Sequence, residues 1–142
     1  MKKMVFFSLV CVLLLPLILA GCGSGTKTTL ELKLDDFAAQ NNIVKDITVS
    51  PKGIITVTLG SNGSTGYQWG EAVIDNATQL EQTSHKTIEP SQTNLVGAAG
   101  KETFTFTAKK AGTATITLSY SRPWEGGEKG IYTLTINITI KN

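Results

Sequence analysis

From Leu30 onward, apolar residues recur with period two, the mark of strands that bury one face. Leu30, Leu32 and Leu34 alternate with Glu31 and Lys33, and Ile55, Val57 and Leu59 alternate with Thr56 and Thr58. Phe104 and Phe106 are set between Thr103, Thr105 and Thr107. Ala114, Ile116, Leu118 and Tyr120 form a further row, and Tyr132, Leu134, Ile136, Ile138 and Ile140 form the longest. β-branched enrichment supports each strand. Ile43 to Val49 and Leu80 to Ile88 are weaker strand candidates, and 69–74 is counted with them. Asp35 to Asn42 has room for one short turn of helix, and no segment sustains a helical period.

Turn signals separate these runs: Ser50-Pro51-Lys52-Gly53, the stretch from Gly60 to Gly70, Glu89-Pro90 through Gly100, Lys109-Lys110-Ala111-Gly112, and Arg122 through Gly130. Seven or eight short strands in such a chain predict an all-β, immunoglobulin-like antiparallel β-sandwich, here without a Cys-Trp-Cys core. If successive strands alternate in direction, the connections 60–66, 90–100 and 122–130 share one end of the sandwich. The turns 51–53 and 109–112 then share the other.

The first residues change the domain boundaries. Lys2 and Lys3 precede an uninterrupted apolar run to Ala20, the layout of a secretory signal peptide, so residues 1–21 are set apart from the fold. Leu19-Ala20-Gly21-Cys22 resembles a bacterial lipobox, in which the Cys is lipidated and becomes the new N-terminus; several acyl chains would hold the product at a membrane. Residues 22–28 read as the lipidated Cys22 and a small polar spacer, and 29–142 as the domain. The expected localisation is extracytoplasmic, anchored to the cell envelope.

Composition then removes function classes. The chain has 142 residues, enough for one core, and two Cys. Cys11 lies in the signal segment and Cys22 is the lipidation site, so no disulfide is expected. Removing Lys2 and Lys3 from 13 Lys and Arg leaves a mature chain balanced against 11 Asp and Glu. Interspersed, balanced charge offers no footprint for nucleic acid.

Candidate chemistry is sparse. His85 is the one histidine and has no pattern of metal or nucleophilic partners, so it reads as a surface residue on an edge strand. Asp35-Asp36 reads as a strand-ending turn, since adjacent carboxyls do not converge. Without a catalytic constellation, metal cluster or phosphate cradle, the chain reads as a binding protein, not an enzyme, with no metal and no cofactor. Gly63 and Gly66 leave backbone groups accessible, and Asn62 can bond its own loop. Arg122-Pro123-Trp124 puts at a loop tip the residue types most enriched among interface hot spots.

Together the loops resemble those of the chagasin-like inhibitors of papain-family cysteine peptidases. That family carries an Asn-Pro-Thr-Thr-Gly-aromatic loop, a Gly-x-Gly-Gly-type loop and an Arg-Pro-aromatic loop, in that order. Here they are Asn62-Gly63-Ser64-Thr65-Gly66-Tyr67, Gly97-Ala98-Ala99-Gly100, and Arg122-Pro123-Trp124. The resemblance, spanning roughly Asn41 to Ile140, implies reversible, non-covalent occlusion of a papain-family peptidase cleft by three loops of one domain, which is expected to be a monomer. It implies Thr65 and Gly66 nearest the catalytic centre, Asn62 shaping that loop, Gly97 and Gly100 approaching closely, and Arg122 and Trp124 packing on the enzyme. Gly63 stands where the family has Pro, Ser64 where it has Thr, and Ala99 where it has Gly. The rival readings are an adhesion or ligand-binding lipoprotein without inhibitory activity, and a structural envelope domain.

Overall fold

The computed structural model describes residues 25–90 and 99–142. Strands β1 (Lys27–Leu32), β3 (Ile54–Ser61), β6 (Leu80–Ile88) and β7 (Gly100–Ala108) form one sheet in the order β1-β3-β7-β6. The second sheet runs β2 (Asn42–Val49), β9 (Tyr132–Ile140), β8 (Gly112–Ser121), β4 (Gln68–Trp69), with β5 (Val73–Ile74) also on β8. The expected 69–74 strand is thus two short pieces. Counting them as one gives eight strands in an immunoglobulin-like sandwich.

Both weaker strand candidates form, and successive strands alternate in direction. The sheets are nonetheless mixed: β1 runs parallel to β3, and β2 parallel to β9. The chain crosses from one sheet to the other and back between β1 and β3, so two strands of the same direction meet as neighbours. Lys27 and Thr28, expected in the spacer, already belong to β1, paired with Ile54 and Ile55. Their polar side chains do not oppose this, because the pairing uses backbone groups. The threonine-interleaved rows bury as the period predicts: Ile55, Val57, Leu59, Phe104, Phe106, Ile116, Leu118, Leu134 and Ile136 are fully buried between the sheets. Each such side chain contributes about 1.5–3 kcal/mol.

The helical turn is α1 (Leu34–Ala38), one residue earlier than expected. Asp35 and Asp36 lie in its first turn and do not end a strand; Asp36 Oδ2 accepts from the Lys33 amide at 2.7 Å, satisfying a donor the helix start would orphan. Phe37 is driven into the core against Trp69 and Tyr132, with ring centroids 5.2 and 5.4 Å away. Among the described residues no helix is long and apolar enough to cross a membrane. The expected signal peptide, residues 1–21, and the expected lipidation site Cys22 lie outside the described residues.

Candidate functional site

Register places the described ends of the three glycine-bearing connections at one end of the sandwich. Ser61 at the end of β3 pairs with Gly100 at the start of β7, and Gln68 pairs with Ser121 at the end of β8. The opening loop therefore sits between the start of β7 and the loop after β8, as strand parity implies. Gly97 and Ala98 lie outside the described residues; Ala99 and Gly100 lead into β7 at this end.

The opening loop is a built finger. Residues Gly63–Thr65 make one 3-10 turn. Asn62 caps it: its Oδ1 accepts from the Ser64 hydroxyl at 2.7 Å and from the Ser64 amide at 3.3 Å. Thr65 Oγ1 donates to the Asn62 carbonyl at 2.6 Å, and the Asn62 amide donates to the Tyr120 hydroxyl at 2.8 Å, tying the turn to the sandwich. Gly66 closes the turn in the left-handed region, with φ 78°. A Cβ there would also lie 2.5 Å from Trp124 Cη2, so both conformation and space call for glycine.

The loop between β8 and β9 braces this finger. Arg122 lies with its guanidinium carbon 4.5 Å from the Tyr67 ring centroid and 5.8 Å from that of Trp124, a cation held between two aromatic faces. Lys129 Nζ donates to the Arg122 and Trp124 carbonyls, and the Gly127 amide donates to the Trp124 carbonyl at 3.1 Å, closing the loop on itself. The Tyr67 hydroxyl donates to a Glu128 carboxylate oxygen. That bond holds the phenol above its ordinary range, because it stabilises the protonated form, and partial desolvation adds to the effect. Trp124 is 51% exposed. It covers Gly66 on one edge and leaves an open apolar face on the other.

A chain of rings supports the finger from below: Tyr67 stacks on Tyr120 at 5.6 Å, and Tyr120 meets Trp69 at 5.1 Å and Tyr132 at 5.9 Å. Between α1, the finger base and Ala99–Lys101 lies a cavity of about 410 Å³. Among the described residues, no three His, Cys, Asp or Glu side chains converge to hold a metal ion.

Two residues have roles that sequence reasoning did not assign. Glu102 is buried beneath the finger. His85 lies on edge strand β6 as expected but is half-buried rather than a plain surface residue: its Nε2 is 2.8 Å from Glu102 Oε2, its Nδ1 is 3.4 Å from Glu71 Oε1, and its ring stacks on Phe104 at 4.0 Å. A bulge between Gln82 and Ser84 shifts the pairing by one residue, which turns His85 to the same face as Phe104. Glu102 was legible in principle, since it falls in the core phase of the row that continues through Phe104, Phe106 and Ala108. The bulge left no such signal.

Comparison with known proteins matches residues 48–138 to the chagasin family peptidase inhibitors I42. The chain is 29% identical to Amoebiasin-2 of Entamoeba histolytica over 141 residues, 99% of this chain and 100% of that one. It is 35% identical to Chagasin of Trypanosoma cruzi over 85 residues, 56% of this chain and 74% of that one. Among solved structures, the cysteine protease inhibitor EhICP2 from Entamoeba histolytica superposes with a TM-score of 0.60 at 26% identity, covering 81% of this chain and 97% of that one. PbICP-C, solved in complex with falcipain-2, shares the fold with a TM-score of 0.61 at 21% identity, over 79% of this chain and 99% of its own. With the family model matching residues 48–138, more than half of the chain, this chain belongs to the chagasin family of peptidase inhibitors.

Proposed function

We propose that this protein is a reversible, non-covalent inhibitor of papain-family cysteine peptidases, acting by inserting the end of the sandwich that bears Asn62–Tyr67 into the active-site cleft. The observation that carries this reading is the finger itself. It is a capped 3-10 turn closed by Gly66 and braced by Arg122, Tyr67 and Trp124, a shape held before any partner arrives. A loop ordered in advance loses less entropy on docking, so more of its contact energy appears as affinity. Thr65 and Gly66 form the leading edge, Ala99 and Gly100 flank it on one side, and Arg122, Pro123 and Trp124 on the other, with Gly97 and Ala98 completing the middle loop. Occlusion needs no thiol, metal or cofactor, and the protein is not an enzyme.

The lipoprotein reading fits this geometry. β1 begins at Lys27, opposite Ile54, at the end of the sandwich remote from Ser61 and Gly100. A tether at Cys22 therefore leaves from the end away from the finger and presents the three loops outward from the membrane. The deciding experiment is titration of papain with the purified domain from Thr26 onward. Reversible inhibition competitive with substrate is expected; a folded domain without inhibition at micromolar concentration refutes the proposal and favours adhesion.

A further inference from the structure

The finger leaves the sandwich at Ser61 and rejoins it at Trp69, and both residues are tied to one buried carboxylate. Glu102 is 3% exposed and sits on β7 directly opposite Leu59, in the register that otherwise faces the core. Its Oε1 accepts from the Ser61 hydroxyl at 2.7 Å and from the Trp69 backbone amide at 2.9 Å. Its Oε2 faces His85 Nε2 at 2.8 Å. Trp69 adds a second clasp, its Nε1 donating to the Gly60 carbonyl at 2.9 Å. The strand entering the finger, the strand leaving it and the edge strand β6 are thus joined through a single side chain, and the β6 bulge is what aims His85 at it.

A carboxylate in an apolar core costs folding energy unless donors fully satisfy it, and hydrophobic residues of similar volume would pack there without that cost. Three donors from three elements, at the base of the one loop proposed to enter the peptidase, give the burial a use. We propose that Glu102 is a positioning residue for inhibition: its carboxylate fixes the separation and direction of the two stems of the Gly60–Trp69 loop, and His85 orients the carboxylate. Glu102 does not touch the peptidase. It acts through Ser61 and Trp69, and its role in inhibition rests on the function proposed above.

Two measurements on the same variants test this. Glu102→Leu removes the acceptor while filling the space; Glu102→Gln keeps an amide oxygen for Ser61 and Trp69, and its amide nitrogen can donate to His85 Nε2 in the other tautomer. In Glu102→Leu, amide exchange at residues 62–69 is expected to accelerate at least tenfold while the amides of β9 keep their protection, and Ki for papain is expected to rise about tenfold, ~1.4 kcal/mol. Glu102→Gln is expected to restore both to within about threefold of wild type, since its two accepting bonds survive. Should Glu102→Leu fail to fold, Ser61→Ala carries the test: it removes one donor and is expected to accelerate exchange of the Trp69 amide severalfold.

Unchanged exchange at 62–69, or acceleration spread equally over the sandwich, overturns the positioning role. So does faster exchange with Ki unchanged. If the wild-type domain does not inhibit papain at all, the inhibitor reading fails, and the exchange data still decide whether Glu102 holds the loop.

Discussion

Replacing Gly66 by Ala adds one carbon at the closure of the finger, and the structure sets what that carbon must overcome. The backbone there has φ 78°, where an L residue is disfavoured by roughly 1–2 kcal/mol. The new Cβ would lie 2.5 Å from Trp124 Cη2 and 3.1 Å from Cζ3, so the indole must swing away. Displacing it loses the contact with Arg122, about 0.5–1 kcal/mol for an exposed cation–π pair. The combined cost, about 1.5–3 kcal/mol, is expected to lower Tm by about 3–10 °C. If the finger escapes the strain by changing shape, the binding-competent fraction falls and Ki rises about 10–100-fold.

Fluorescence separates the two parts of that cost. The chain has two Trp; Trp69 is fully buried, so acrylamide quenching reports mainly on Trp124 and is expected to increase in Gly66→Ala. Repeating the substitution in a Trp124→Ala background leaves only the backbone strain, and the double-mutant cycle is expected to show coupling of at least about 0.5 kcal/mol. A Gly66→Ala protein with unchanged Tm, quenching and Ki would refute the left-handed closure and the indole contact together.

Trp124→Ala alone is expected to raise Ki for papain at least about tenfold while lowering Tm by no more than about 2–4 °C, the cost of the lost Arg122 contact, because the side chain is half-exposed; a larger fall in Tm would make it a core lid. Gly63→Pro places a ring at the first position of the 3-10 turn, where a side chain would meet open space, and is expected to stabilise the finger by about 0.4–1 kcal/mol and lower Ki severalfold; an unchanged or higher Ki counts against preorganisation. The hydrogen bond to Glu128 raises the Tyr67 phenol above its ordinary value of 10.0, so the stability it lends is present below that value and is lost as pH rises through the raised one. Absorbance titration should show Tyr67 titrating earlier in Glu128→Gln than in the wild type, and the same titration curve in both proteins would contradict the bond.

Period-two patterning located β3, β7, β8 and β9 clearly and β2 and β6 weakly, because burial on one face is a local property: alternate side chains point to one side whatever the neighbouring strand is. Strand parity also gathered the loops correctly, since a short connection can only reverse the chain. The parallel pairings β1 with β3 and β2 with β9 were not legible, because which strands become neighbours depends on crossings between sheets. His85 shows the same limit at one residue: a bulge in its own strand turned it inward, and a bulge is settled by pairing with β7.

The sequence by itself therefore determined the class of fold, the end of the molecule at which the glycine-bearing connections gather, and the turn residues of the finger, since Asn62, Gly63 and Gly66 act on backbone within a few residues of themselves. Only the tertiary structure decided what holds that finger still. Ser61, Trp69, His85 and Glu102 lie on β3, β4, β6 and β7, with 41 positions between the first and the last, and meet only when the two sheets close; Trp124 reaches Gly66 only because β8 ends where β4 begins. Contacts between distant residues depend on three-dimensional distance, which the order of residues along the chain does not contain.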